Sequence, residues 1–415
     1  MTEELDENYE NTMIEKYQNQ ITNQELHLAQ NSAKSIQFVE KFDITSLTIK
    51  YCFQLDFDAS LSKVTQLNIN CCQLKETRYI QKMPQLFDLS LTNITLQFPL
   101  IDIQFVRNLV NLRHLNLSTN KINNLSCLQE LTNLQKLELW HNQIVDVTPL
   151  AKLTQLTELI LGENKISDIS SLHKLNNLQK CDMQSNKLRN ISVIKNWTSL
   201  QVLYIGSNDI EDVSVFSELN NLEQLSVSNN LIKSAQSFGK LNKLKYLGLF
   251  GNILTDISPI RMLKSLEELD ISVNPVISIQ DLDQLSNLVK LDVNNCSVVD
   301  ISVLNGLNNL TYLNVENNFI TELFNDNKSR YNQYLTFGQG KPTQQQILFA
   351  SKLKCISTQN QAIESISVNG HQMNQTIQNH KMRVKKALTN AVKNQYCFMN
   401  RVVQLLNQVK VEVPQ

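Results

Sequence analysis

Residues 155–176 read QLTELILGENKISDISSLHKLN, and copies of this pattern fill most of the chain. Leu159 and Leu161 lie two residues apart, which is the spacing of side chains on one face of a β-strand. After Asn164, the apolar residues Ile166, Ile169, Leu172 and Leu175 follow at intervals of three. A period of three suits a 3₁₀-like turn better than an α-helix. Each copy is therefore predicted to be a short strand, a bend and a compact return segment.

The pattern recurs every 22 residues without a slip over the regular part of the chain. The regular units begin at Asn111, Asn133, Gln155, Asn177, Ser199, Asn221, Lys243, Ser265, Asn287 and Asn309. Upstream, a unit from Lys63 keeps the pattern, the unit from Gln85 is longer and one from Asp43 is degenerate, giving about 13 units. A unit of this length cannot close a core alone, so we expect the units to stack and share one parallel sheet.

One asparagine marks the bend of nearly every unit. These residues are Asn120, Asn142, Asn164, Asn186, Asn208, Asn230, Asn252, Asn274 and Asn318, with Cys296, Cys72 and Cys52 in the equivalent position elsewhere. The chain leaves the strand at this point, so backbone N–H and C=O groups need partners inside the core. A buried amide supplies both donors and an acceptor, which predicts a structural asparagine ladder, and a cysteine can fill the position with a weaker bond.

The pattern L-x-x-L-x-L-x-x-N-x-I-x-x-I-x-x-L-x-x-L resembles the leucine-rich repeat superfamily over about 280 residues. The resemblance implies an α/β solenoid, a curved horseshoe with a parallel sheet on its concave face and 3₁₀-like segments on its convex face. The unit length is similar to that of the short subclass typified by the nuclear regulatory subunit of protein phosphatase 1, and bacterial internalins have similar units. That subunit binds its phosphatase through acidic and aromatic concave residues, so a phosphatase catalytic subunit is one partner that the resemblance implies.

Composition and motifs argue against several other classes of protein. Lys plus Arg is 38 and Asp plus Glu is 39, for a net charge of −1, which gives no support to whole-chain nucleic-acid binding. Glycine is scarce, at 9 residues. The chain contains no phosphate-binding, zinc-protease or nucleophile-elbow motif, and no C-x-x-C pair. We therefore expect a non-catalytic protein without a cofactor or metal.

The chain ends guide the expected location and domain boundaries. The acidic start carries no apolar stretch of the kind that marks a secretory signal, and no run of about 18 apolar residues predicts a membrane helix. The cytoplasm is the expected location, with the nucleus as an alternative. The predicted domains are an acidic segment and cap at 1–42, the solenoid at 43–324, and a basic, mainly helical tract at 325–415.

The residues that flank the inward leucines are predicted to form a protein-binding face. Its proposed members are the aromatic residues Trp140, Tyr204, Tyr246, Phe250 and Tyr312, the acids Glu138, Glu158, Asp182, Glu268 and Asp270, and His141 beside Trp140. Exposed Trp and Tyr often carry interface energy, and acids favour a basic partner. The alternative is that these side chains only stabilise the sheet by packing along neighbouring strands.

Other features leave alternatives open. Ile377, Val384, Ala391, Phe398 and Leu405 recur every seven residues, which predicts an amphipathic helix that caps the last repeat, pairs with another helix or lies on an acidic membrane surface. Residues 34–38, KSIQF, fit a short phosphatase-docking pattern or an apolar lead-in that caps the solenoid. Two rival functions are a surface adhesin of internalin type and an enzyme whose catalytic unit lies in 325–415.

Overall fold

The computed structural model describes residues 2–29, 36–52, 55, 61–74, 77–94, 100–318 and 335–336. In this part of the chain, the helix α1 (Thr2–Gln18) precedes a long parallel sheet. The strands are β1 (Glu25–Ala29), β2 (Ser46–Lys50), β3 (Gln66–Asn70), β4 (Asp88–Thr92), β5 (His114–Asn116), β6 (Lys136–Glu138), β7 (Glu158–Ile160), β8 (Lys180–Asp182), β9 (Val202–Tyr204), β10 (Gln224–Ser226), β11 (Tyr246–Gly248), β12 (Glu268–Asp270), β13 (Lys290–Asp292), β14 (Tyr312–Asn314) and β15 (Leu335–Thr336).

Every strand pairs in parallel with the strands before and after it in the chain, and the sheet does not close on itself. Because the units have equal length, identical positions lie side by side. Leu137 pairs with Leu159, and Leu247 pairs with Leu269. Leu137, Leu159 and Leu247 are fully buried, so the inward leucines form one continuous core. The predicted solenoid with a parallel sheet is confirmed.

The return segments are 3₁₀ turns, as the period of three predicts. They span Gln37–Lys41, Ile80–Lys82, Gln104–Val106, Ser126–Glu130, Thr148–Lys152, Ser170–Leu172, Ser192–Asn196, Ser214–Glu218, Gln236–Lys240, Ser258–Met262, Gln280–Gln284 and Ser302–Gly306. Many of these 3₁₀ turns are preceded by a short polar side chain whose role was not predicted from the sequence. Asp146 Oδ1, for example, accepts the N–H of Thr148 at 2.8 Å, and thereby fixes the start of the turn.

Each asparagine of the ladder joins two units. Asn164 Nδ2 donates to the carbonyls of Leu161 at 3.0 Å and Gly162 at 3.1 Å in its own unit. It also donates to Leu139 of the preceding unit at 2.9 Å, and its Oδ1 accepts the N–H of Ile144 at 3.0 Å. The same pattern of bonds recurs at Asn142, Asn186, Asn208, Asn230, Asn252, Asn274 and Asn318.

Cysteine in this position makes fewer and weaker bonds. Cys296 Sγ lies 3.4 Å from the carbonyl oxygen of Ile271, and Cys72 Sγ accepts the N–H of Cys52 at 3.3 Å. A second ladder runs along the other end of the strands and was missed from the sequence. There, Asn133 Nδ2 donates to the carbonyl of Val110 at 2.9 Å, and the asparagines that begin other units do the same. The recurrence of asparagine at the unit starts was the available signal.

The first strand lies within residues 1–42, the range predicted as an acidic segment and cap. The 13 predicted units correspond to β2–β14, whereas β1 lies within residues 1–42 and pairs with β2. Ile36 and Phe38 of the KSIQF segment are buried, at 0% and 1% exposure, and Tyr17 stacks on Phe38 with 5.9 Å between ring centroids. This burial fits the lead-in interpretation. Lys34, Ser35 and the helix predicted from Thr376 onward lie outside the described residues.

Candidate protein-binding face

Three rows of outward side chains cross the sheet, one row for each position beside the inward leucines. From β4 onward, the first row is Asp88, His114, Lys136, Glu158, Lys180, Val202, Gln224, Tyr246, Glu268, Lys290 and Tyr312. The second row is Ser90, Asn116, Glu138, Ile160, Asp182, Tyr204, Ser226, Gly248, Asp270, Asp292 and Asn314. The third row, two residues further along each unit, includes Trp140, Gly162, Phe250 and Ser272. We call β4–β8 the N-terminal half of this face and β9–β14 its C-terminal half.

All five aromatic residues proposed from the sequence lie on the face rather than under the leucines. Trp140 is in the N-terminal half, and the C-terminal half carries Tyr204, Tyr246, Phe250 and Tyr312. Each of the five is half-buried, so part of its surface contacts the sheet and part is open to solvent. The outward position follows from the two-residue alternation of side chains along a strand.

Trp140 covers a glycine in the next unit. A Cβ atom at Gly162 would lie 2.1 Å from Trp140 Cζ3 and 2.4 Å from Cε3, which no real side chain tolerates. The indole therefore occupies the space above the backbone of Gly162. A single larger residue at position 162 would force the ring off the sheet.

In the N-terminal half, His114 lies between two carboxylates. Its Nδ1 is 3.0 Å from Asp88 Oδ1, and its Nε2 is 3.1 Å from Glu138 Oε1. The hydrogen bonds to Asp88 and then to Glu138 raise the pKa of His114 to about 9, so the imidazole is charged at neutral pH. The hydrogen bond between His114 and Glu138 is also the main reason that the pKa of Glu138 falls to about 2.

Lysines extend this network across the next two strands. Lys136 Nζ lies 2.8 Å from Glu138 Oε1 and 3.5 Å from Glu158 Oε2, and Lys180 Nζ lies 2.7 Å from Glu158 Oε1. The side chains of Glu138 and Glu158 are each 22% exposed, so solvent screens these pairs less than pairs on an open surface. The charges of these two acids, both proposed as partner-binding residues, are already matched within the sheet.

The C-terminal half contains an open depression of about 440 Å³. It is lined by Gln184, Tyr204, Gln224, Ser226, Tyr246 and Glu268. The Tyr204 hydroxyl donates to Gln224 Oε1, which fixes the ring at one wall. A Cβ at Gly248 would lie 2.9 Å from the Tyr246 hydroxyl and 3.1 Å from Ser226 Oγ, so polar groups converge where the glycine leaves space.

Acids of the C-terminal half differ in how their charges are matched. Glu268 pairs with Lys290 at 2.7 Å. Asp270 and Asp292 are paired in register on β12 and β13, and no cationic side chain of the described residues lies within ion-pair distance of either. Burial, with a further contribution from Asp292, raises the pKa of Asp270.

The second-row acids also have a local structural role that was not predicted from the sequence. Asp270 Oδ1 accepts the N–H of Ser272 at 3.0 Å, and Asp292 Oδ1 accepts that of Asn294 at 2.9 Å. Asp182 makes the same bond to Gln184 at 3.0 Å, and burial raises its pKa. A short polar side chain followed by a bend two residues later was the available signal.

His141 lies off the face, at the bend that follows Trp140. Its backbone has φ +53°, a left-handed conformation that the residue before the ladder asparagine adopts in unit after unit. The exposed ring lies 2.6 Å from Glu163 Oε2 in the next unit, through Nδ1. His141 is thus adjacent to Trp140 in sequence, but it contributes to a different surface.

Comparisons with known proteins identify the repeats. The family of leucine-rich repeats (two copies) matches residues 132–172, 198–240 and 242–284. A search of curated protein sequences finds no significant match. No helix in the described part of the chain combines the length and apolar character needed to cross a membrane.

Several solved structures share the fold. An internalin from Listeria monocytogenes is 26% identical, with a TM-score of 0.67, over 74% of this chain and 89% of the internalin. A leucine-rich repeat protein from Leptospira interrogans is 23% identical, with a TM-score of 0.66, over 79% and 93%. The ectodomain of a receptor kinase from Arabidopsis thaliana, in complex with Casparian strip integrity factor 2, is 18% identical, with a TM-score of 0.53, over 75% and 47%. The fold is that of a leucine-rich repeat solenoid.

Proposed function

We propose that this protein is a non-catalytic interaction module that binds a protein partner on its sheet face. The observation that carries the proposal is the group of four half-buried aromatic rings in the C-terminal half of the face, together with Trp140. Rings of this kind gain little for an isolated solenoid, whereas a partner that covers them removes their remaining apolar surface from water. Tyrosine and tryptophan are also the residues that most often dominate binding energy.

Site-specific cross-linking tests the position of the partner. A photoreactive amino acid replaces Ser226 in the second row, and the matched control carries it at Gln236, in the return segment of the same unit. We expect cross-linked protein from position 226 and little from 236. Cross-linking from 236 alone would contradict a binding site on the sheet face.

Truncation of the rings tests their contribution. Tyr246→Ala and Trp140→Ala should each weaken binding of the cross-linked partner by about tenfold or more, because large aromatic contacts are worth about 2 kcal/mol. Ile277→Ala is the matched control, since Ile277 is 62% exposed and lies outside the three rows. Unchanged affinity in both aromatic variants would favour the alternative in which the rings only stabilise the sheet.

A more specific form of the proposal is a regulatory subunit of a phosphatase. The 22-residue units support it through their resemblance to the short leucine-rich repeat subclass. In this form the phosphatase would contact the sheet face and not the KSIQF segment, because Ile36 and Phe38 are buried. Titration of purified protein phosphatase 1 catalytic subunit, with wild type and Tyr246→Ala, tests it, and absence of wild-type binding would refute it.

A surface adhesin is the second candidate, and the internalin similarity favours it. It predicts that the protein on intact cells is labelled by a reagent that cannot cross membranes. The first candidate predicts a cytoplasmic or nuclear location and no such labelling. Surface labelling of intact and lysed cells, followed by fractionation, distinguishes them.

A further inference from the structure

The carboxylates of Asp270 and Asp292 accept hydrogen bonds from neutral groups of the sheet. Each accepts a backbone N–H two residues later. Asp270 also accepts the Ser272 hydroxyl, and Asp292 accepts the side-chain amides of Asn294 at 2.6 Å and Asn314 at 3.0 Å. Asn116 and Asn314 occupy the same row and accept the equivalent bonds from Ser118 at 2.9 Å and Glu316 at 3.2 Å. A neutral amide therefore makes the same backbone bond elsewhere in the row, and these donors to Asp270 and Asp292, all in the described part of the chain, are neutral.

The charge of Asp270 is unfavourable in the isolated protein, because burial, with a further contribution from Asp292, raises the pKa of this carboxyl. The two residues are paired in register on adjacent strands, whose backbones lie about 4.8 Å apart. The lysine of the same strands, Lys290, is paired with Glu268 at 2.7 Å. In the N-terminal half, by contrast, His114, Lys136 and Lys180 pair with Asp88, Glu138 and Glu158, and among its described acids Asp182 is like Asp270 in having a pKa raised by burial.

Tyrosines flank the two carboxylates. Tyr246 lies on the strand before Asp270, and Tyr312 lies on the strand after Asp292. Burial and then the charge of Asp270 raise the pKa of Tyr246, and burial and then the charge of Asp292 raise that of Tyr312. Each acid is therefore close enough to a tyrosine to influence it, and the four residues form one patch across β11–β14.

We infer that this patch binds an arginine side chain in an extended, basic segment of the partner, with the guanidinium placed between Asp270 and Asp292. The inference rests on the proposed function, because it names the partner chemistry of the same face. A planar guanidinium donates to two carboxylates at once and stacks on tyrosine rings.

Peptide binding tests this inference directly. The probe is a fluorescein-labelled peptide of 12 residues made of glycine, serine and three arginines, and its control has the neutral isostere citrulline at the same three positions. We expect the wild-type protein to bind the arginine peptide at least tenfold more tightly than the citrulline peptide. Equal affinity for the two peptides would overturn the inference.

A pair of double variants assigns the binding to the patch. Asp270→Asn with Asp292→Asn keeps the backbone hydrogen bonds, as Asn116 and Asn314 show, and should weaken arginine-peptide binding by at least tenfold. Glu267→Gln with Asp283→Asn removes two exposed acids outside the three rows and should change affinity by less than twofold. Binding within twofold of wild type in the first variant would overturn the inference, and circular dichroism confirms that both variants fold.

The outcomes separate this inference from the proposed function. A partner that cross-links from position 226 and keeps its affinity for the Asp270→Asn, Asp292→Asn variant would leave the interaction face intact and refute the arginine site. Specific arginine-peptide binding without any partner cross-linked to the face would support the arginine site and count against the wider proposal.

Discussion

The two halves of the sheet face share one backbone and differ in how their side chains are satisfied. In the N-terminal half, ion pairs connect Asp88 through His114, Lys136 and Glu158 to Lys180 across five strands. In the C-terminal half, aromatic rings lie beside Asp270, which has no cation within ion-pair distance in the part of the chain that the structure describes. The difference shows that a repeat scaffold leaves its outward rows free to vary, so that one stretch can favour stability and another recognition.

The largest expected effect comes from the asparagine ladder, which both halves of the face share. Asn142→Ala in the N-terminal half and Asn252→Ala in the C-terminal half should each lower the free energy of unfolding by about 3 kcal/mol, because each leaves several buried backbone groups without a partner. Urea unfolding measures both. Asn274→Cys should lose less, since a cysteine fills the position in the next unit. A loss below about 1 kcal/mol in one half only would break the assumption of a common scaffold.

A pH experiment tests the ion-paired half. The pKa of His114 is raised from its ordinary value of 6.5 to about 9 in the fold, so its stabilising effect is complete below pH 6.5 and is lost as pH rises to 9. We expect the unfolding free energy to fall by about 1–2 kcal/mol over that interval, with the shift discounted for partial exposure. His114→Gln should remove this dependence, whereas Lys290→Gln in the other half should not. An NMR titration of His114 centred near 6.5 would contradict the ion-pair network.

A smaller loss of stability is expected when the contact of Trp140 with Gly162, in the N-terminal half, is disturbed. Gly162→Ala should displace Trp140, at a cost of about 1 kcal/mol. The chain has two tryptophans, and Trp197 is fully buried, so a shift of the emission to longer wavelength would report on Trp140. Gly306→Ala is the control, because a Cβ there meets nothing within 4 Å. Unchanged emission in Gly162→Ala would mean that the ring does not lie on the glycine.

The repetition made the scaffold predictable from the sequence. A fixed interval of 22 residues places equivalent side chains on adjacent strands, which is enough to predict the inward leucines, the 3₁₀ turns and the asparagine positions such as Asn164. The strand β1 was not predicted, because it belongs to no regular unit. Leu26 and Leu28 nevertheless show the two-residue spacing of a strand.

Side-chain partners within the face were harder to predict. His114, Lys136, Glu158 and Lys180 occupy one row at equal intervals, so the mixture of basic and acidic residues along this row was visible. The contact of His114 with Glu138, however, joins two different rows and depends on the side-chain rotamers. The backbone bond of Asp270 likewise depends on the local geometry of the bend, so the sequence could place this acid on the face without showing its structural role.

The smallest effect has the opposite sign and tests the carboxylate that distinguishes the C-terminal half. Burial raises the folded-state pKa of Asp270, so its ionised form costs stability once the pH is above that value, and the cost disappears in acid below the unfolded-state pKa. Asp270→Asn should therefore be at least as stable as wild type at pH 7, with no advantage near pH 3. At Asp146, bonds from Thr148 lower the pKa, so Asp146→Asn should be slightly less stable at pH 7. If Asp270→Asn were also less stable at pH 7, the charge would serve the fold, and the reason to assign it to a partner would be lost.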